Sequence, residues 1–278
     1  MIADFRIAVT TISLLSVTFG VCRGQDPEPT SPGDSESRLS ASLGLNDFHL
    51  KDEYLAPEII RGNIFASRLS LDFSSAVDVH AIDATFSHGS PASHYQERQI
   101  TQNIGSLSYS YLHALDTWEI AGLPLKFLLG GGVSSFVANT DYNAYDTPTS
   151  SKSYDQAWYW SHALDLHAEA DVRLAERSTM TVRLTTPLVR LVSRPENGHY
   201  LSSANQKVYE NFFRAFSRGK PEFAWENLVL MGEVRYSHRW SDRFGIHGSY
   251  IFGYAATDRP LEMAMYSNQV LVGADWYF

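Results

Sequence analysis

The sequence predicts an all-β fold, an antiparallel up-and-down barrel of about 10 strands (8 to 12 fit the pattern) that crosses a membrane with its strands. Three observations carry this. From residue 38 onward the chain breaks into segments with two-residue alternation, each of about ten to thirteen residues, the length of a tilted strand crossing a bilayer. The connections between segments alternate between short and long. The chain closes on "SNQVLVGADWYF", where Val270, Val272, Ala274, Trp276 and Phe278 share one strand face and no polar tail follows.

Taken in order, residues 1–24 have the form of a secretory signal peptide: Arg6, an apolar run over 7–21, then Cys22-Arg23-Gly24. A run of about fifteen residues is short for a spanning helix. Cys22 raises lipidation, but Val21 stands where that signal requires a small side chain. Residues 25–37 include "QDPEPTSPGDSE", with three prolines, four acids and no apolar side chain, and are expected to form a flexible tail. The barrel then occupies 38–278.

Strands are expected near 38–49, 62–73, 77–87, 103–115 and 123–136, although the faces around 78–86 can be assigned either way. The clearest is "WYWSHALDLHAEADVRL" at 158–174. Leu164, Leu166, Ala168, Ala170, Val172 and Leu174 fall on one face, and Asp165, His167, Glu169, Asp171 and Arg173 on the other. A helix scatters such charges; a strand segregates them. "TMTVRLTTPLVRL" follows after the turn "AERS", then 226–240, 244–254 and the closing strand. "SSAV", 116–122, "AERS" and "SDR" are short connections, while 88–102, 137–157 and 193–224 are long. Strict alternation over an even number of strands is the pattern of barrels with tight periplasmic turns and large outer loops. Aromatic residues at predicted strand ends, among them Tyr109, Tyr111, Trp158, Trp160, Trp240, Tyr254, Trp276 and Phe278, fit interfacial girdles. A secreted β-sandwich would bury those aromatics, but has no reason to alternate its loop lengths.

The net charge of −9 argues against nucleic acid. Cys22 is the only cysteine, so no disulfide framework is expected. No cofactor is implied. Asp165, His167 and Glu169 share a face, but such triples arise readily on a charged strand, and no metal site is expected.

The alternating terminal strand ending in Phe278 resembles the C-terminal assembly signal of bacterial outer-membrane β-barrel proteins, and the layout is similar to functionally uncharacterised members of that superfamily. The resemblance implies a bacterial outer-membrane location with both termini periplasmic. It also implies contact with outer-membrane lipid and with the barrel-assembly machinery during biogenesis.

Alternation assigns Arg68, Asp72, Lys126, Asp165, His167, Glu169, Asp171, Arg173, Arg183, Glu233, Arg235 and Asp275 to the lumen. In a narrow barrel, inward charges of both signs largely fill the interior. The expected role is therefore a narrow channel or a membrane-structural protein, rather than an enzyme. The alternative is a lipid-modifying hydrolase using a His-x-Ser pair, in which imidazole activates the hydroxyl. His88-x-Ser90 and His247-x-Ser249 resemble the pair of outer-membrane phospholipases and lipid A deacylases, but are followed by Pro91 and Tyr250 where that family usually has Asn. His247 is expected to face inward near the 241–243 turn, which leaves His88 and Ser90 the better placed. The strand count also resembles the omptin proteases, yet Asp141, Asp146, Asp155 and His199 lack that family's pairings. In 193–224, Val208, Phe212, Phe213 and Phe216 are spaced for one side of a short helix, expected to fold over the barrel mouth or to meet an extracellular partner.

Overall fold

The fold is that of a computed structural model, which describes residues 35–52, 56–93, 99–120, 122–143, 154–194, 219–226, 228–257 and 262–278. Twelve strand segments form: β1 (Glu36–Asp52), β2 (Ala56–Ser74), β3 (Asp78–Gly89), β4 (Ala92–Ser93), β5 (Gln99–Ile120), β6 (Leu123–Asn143), β7 (Tyr154–Ala175), β8 (Ser178–Ser193), β9 (Lys220–Phe223), β10 (Val229–Arg239), β11 (Phe244–Thr257) and β12 (Met263–Tyr277). Ten of them make the wall, each antiparallel to its neighbours, and β12 pairs with β1 to close it. Short β4 adds to the edge of β2, and short β9 continues the wall beside the upper part of β8.

The register fixes the barrel's shape. Passing from partner to partner, Glu36 leads through Ser74, Val79, Leu112, Gly130, His167, Thr185, Met231, Gly253 and Ser267 back to β1 at Phe48, a shear of twelve residues. Ten strands with that shear tilt by about 40° and place the backbone about 10 Å from the axis. The closing strand ends in the ladder: Ser37 and Phe278 exchange both backbone hydrogen bonds, at 3.2 and 3.0 Å.

Short turns gather at one end. Ser75 Oγ accepts from the backbone N–H of Asp78 at 3.0 Å, and Ser241 Oγ accepts from that of Phe244 at 3.1 Å, local bonds that stabilise tight reversals. Gly122 takes a φ of 79° in the turn before β6, a conformation open to glycine without steric cost.

The strands extend further toward the opposite end than the alternation predicts. β6 and β7 stay paired up to Asn143 and Tyr154, so their connection is 144–153, narrower than 137–157. β3 and β5 are joined through 90–98, and β1 and β2 through only 53–55. At 3.3 Å per residue and 40° tilt, the 22 residues of β7 span about 55 Å of axis, against about 30 Å of hydrocarbon. The longest strands therefore exceed a hydrocarbon span by about 25 Å.

The outer surface marks that boundary. In the half near the turns Leu43, Leu69, Leu107, Val133, Leu164, Leu184 and Val272 are each at least 50% exposed, all facing outward around the circumference. At about 1.5 to 3 kcal/mol for full burial of each, such a set forgoes on the order of 5 to 10 kcal/mol in water. That is comparable with the whole folding free energy of a domain, so a lipid surround is the environment in which this wall is stable. Trp118, Trp240, Phe244, Trp276 and Phe278 are exposed at the turn end, as in an interfacial girdle. Trp160 departs from that expectation: it is buried, its ring 6.2 Å from that of His162.

Candidate functional site

The lumen holds two layers of opposite character. In the half near the turns, inward positions carry ions. Arg68 on β2 donates from Nε and Nη2 to Asp83 Oδ1 on β3, at 2.9 and 2.7 Å, and from Nη1 to Glu233 Oε1 on β10 at 2.6 Å. Arg183 on β8 donates to Glu169 Oε2 on β7 at 2.5 Å and lies 3.6 Å from Asp83 Oδ2. β2 and β10 are four strands apart around the ring, as are β3 and β8. The Arg68–Glu233 and Arg183–Asp83 contacts therefore cross the lumen rather than run along its wall.

A second cluster lies closer to the turns. Arg235 Nη2 donates to Asp275 Oδ1 at 2.5 Å and to Ser40 Oγ at 3.0 Å, Ser40 donates to the same carboxylate oxygen at 2.6 Å, and His247 Nδ1 is 3.0 Å from it. Asp275 is 1% exposed. Beside it Arg38 grips Asp72 through Nε and Nη2, at 2.9 and 2.6 Å. Gly273 makes the cluster possible: a Cβ there would collide with the Ala41 carbonyl, the His247 ring and the Ser42 side chain. Buried ions are tolerated when paired and costly when left alone, and here four arginines meet five carboxylates.

The remaining residues assigned to the lumen sit around these clusters. His167 shares a hydrogen bond of 2.9 Å with Thr185, Asp171 accepts from Thr181 at 2.6 Å, and Asp165 is buried. Lys126 is half-buried directly opposite Asp171 in the register, and Arg173 is exposed at the turn-end rim. Sequence reasoning missed Arg38 and Asp83. Asp83 lay in the segment whose faces were ambiguous; the exposure of both Ile82 and Phe86 fixes its direction. Arg38 shares its parity with buried Ser40 and Ser42 and opposes exposed Leu43 and Leu45, a signal present in the sequence.

Above the ions, the lumen turns apolar. Phe48, Leu50, Ile60, Ile64, Ile100, Ile104, Ala138, Tyr159, Val192 and Met263 form one buried cluster, contributed by seven of the ten wall strands. On β1 the inversion is visible within a few residues: Leu43 and Leu45 face out, whereas Phe48 and Leu50 face in. β2 and β5 switch in the same way, Phe65 and Leu107 facing out while Ile64 and Ile104 face in. Beyond the band of exposed apolar residues the side chains follow the pattern of a soluble barrel, with the apolar ones inside.

This apolar layer is tied to β9. Arg190 donates to Glu222 Oε2 at 2.7 Å, to the Ala256 carbonyl at 2.5 Å and to Tyr159 Oη at 3.0 Å, and Thr257 donates to Glu222 Oε1 at 2.6 Å. The connection expected to lie over the mouth is thus anchored by a buried ion pair at 220–223. Its helix, expected around 208–216, lies outside the described residues, as do residues 1–34, Asp146 and His199.

The His-x-Ser residues are placed apart from each other. His88 is exposed on the outer wall, and its Nδ1 meets Asn103 Oδ1 on β5 at 2.8 Å. Ser90 lies beyond the last residue of β3, and among the described residues no hydrogen bond joins it to His88. His247 and Ser249 are both buried in the lumen. Asp141 and Asp155 stand on β6 and β7, within the ladder, in adjacent register. In the terminal strand Val270, Val272, Ala274, Trp276 and Phe278 are all exposed on the outer face.

Comparison with known proteins bears on the architecture alone. The outer membrane protease OmpT from Escherichia coli superposes with a TM-score of 0.52 at 7% identity, covering 90% of this chain and 99% of that one. Neisserial surface protein A (NspA) gives 0.36 at 12% identity over 87% and 97%, and Ail, the attachment invasion locus protein of Yersinia pestis, 0.32 at 11% over 87% and 98%. No family model matches the sequence, and no curated protein matches it. The chain has the fold of the bacterial outer-membrane β-barrel proteins, closed by ten antiparallel strands.

Proposed function

We propose that the protein is an integral outer-membrane barrel with a sealed lumen, a membrane-structural platform that holds its long-connection end outside the cell. The observation that carries this is the apolar cluster drawn from seven strands, stacked on ion pairs that cross the lumen. A polar solute would have to break charge pairs and then enter a mostly apolar layer whose few polar groups, Gln102 and Thr140 among them, are buried, which opposes the conducting form of the role. The orientation follows from the tight turns at one end, which fit the periplasmic side. The hydrolase alternative gains no support from Ser90, because a nucleophile requires its base within hydrogen-bond reach.

The test is an epitope inserted at 144–153 of the full chain, expressed in a Gram-negative host. Antibody binding to intact cells, with the protein in the outer-membrane fraction, is the expected result. Binding only after permeabilisation would overturn the orientation, and recovery in the soluble fraction would overturn the membrane assignment.

A further inference from the structure

A cluster on the outer wall near the turn end has no part in the lumen. β3 presents Asp78 and His80, and β5 presents Tyr109, Tyr111 and His113, all on the outward face in facing register. Tyr111 Oη donates to Asp78 Oδ1 at 2.7 Å, His113 Nδ1 lies 2.8 Å from the same oxygen, and His80 Nδ1 lies 2.9 Å from Tyr109 Oη. The His80 ring is 5.0 Å from that of Tyr111. Exposed Phe73 and Leu115 flank the group on the same face. Ionisable groups facing lipid are costly and are found where they have a partner, and apolar side chains would serve a purely lipid-facing wall better.

The hydrogen bonds also define what the free atoms offer. A carboxylate only accepts, so His113 carries its proton on Nδ1, and in its neutral form the ring presents Nε2 as an acceptor. Asp78 Oδ2 is a second acceptor without a partner among the described residues. In the tautomer in which Tyr109 donates to His80 Nδ1, His80 presents an N–H at Nε2. Two acceptors beside one donor, with tyrosine faces adjacent, complement a primary ammonium next to a phosphate; the ring faces add attraction for the cation.

We propose that this cluster binds the headgroup of a zwitterionic phospholipid bearing a primary ammonium, an ethanolamine phospholipid. Asp78 and His113 accept from the ammonium, and His80 donates to the phosphate. The proposal rests on the membrane-barrel reading. A choline headgroup keeps the phosphate and the charge but has no N–H to donate, so the acceptor pair discriminates between the two.

The full chain is refolded into bilayer discs containing equal ethanolamine and choline lipids, and retained lipid is counted by native mass spectrometry. Wild type is expected to retain the ethanolamine lipid severalfold over the choline lipid. Asp78→Asn, which keeps an acceptor for Tyr111, should bring that ratio to about one, whereas Asp47→Asn near the opposite rim should leave it unchanged. If Asp78→Asn fails to insert, His113→Phe gives the same readout. Equal retention by wild type, or a preference that survives in the folded variant, would overturn the headgroup site. Failure of wild type to insert into any disc would overturn the barrel reading instead.

Discussion

Replacing Arg235 with Met isolates the energetics of the charged lumen. Arg235 is 6% and Asp275 1% exposed, so loss of the guanidinium leaves a buried carboxylate with only Ser40 and His247. Breaking a buried pair by removing one partner costs about 3 to 5 kcal/mol. The two surviving contacts place this case near the lower end, a loss of about two decades in the folded-to-unfolded ratio. Urea unfolding of the protein in detergent micelles, followed by tryptophan fluorescence, reads that difference. The paired variant Arg235→Met with Asp275→Asn removes both charges and should recover all but about 1 kcal/mol. By contrast, Glu36→Gln at the half-exposed Arg239–Glu36 pair should change stability by less than about 0.5 kcal/mol. A single Arg235→Met variant within about 1 kcal/mol of wild type, or a double variant no better than the single one, would refute the claim that Arg235 and Asp275 form a buried, mutually dependent ion pair.

Gly273→Val should prevent recovery of folded barrel in refolding trials judged by heat-dependent gel migration, because the side chain would occupy the place of the His247 ring; normal migration would contradict this. Glu222→Ala should free 220–223 from β8, seen as faster protease cleavage near that segment while the barrel core stays resistant; unchanged cleavage would show that the four-residue ladder suffices without the ion pair.

The wall was legible because its signal is local. Each of the ten expected strands overlaps an observed one, although β2, β5 and β6 run well past their expected ends, and 158–174 could be read directly, since charges on one face and leucines on the other admit no helical interpretation. The inversion of the lumen was harder to read for a physical reason. In β1 the apolar residues pass from odd positions, Leu43 and Leu45, to even ones, Phe48 and Leu50, without a bulge between them. Along a sequence this looks like the end of a strand, because one alternation gives way to another. It is instead one continuous strand whose apolar side changes from the outer face to the inner. The ion pairs across the lumen were partly visible: alternation identifies inward residues, but not which of them meet from four strands away, as Arg68 and Glu233 do. Asp83, central to that contact set, required the neighbouring strands to settle its face.

The most direct test of the sealed lumen is electrical. The refolded full chain is inserted into a planar bilayer, with insertion confirmed independently by protease protection, and current is recorded under applied voltage. A closed apolar layer above crossed ion pairs predicts a protein that inserts and stays silent. Reproducible single-channel steps would contradict the account and place an open path through the layer formed by Phe48, Ile64 and Ile104.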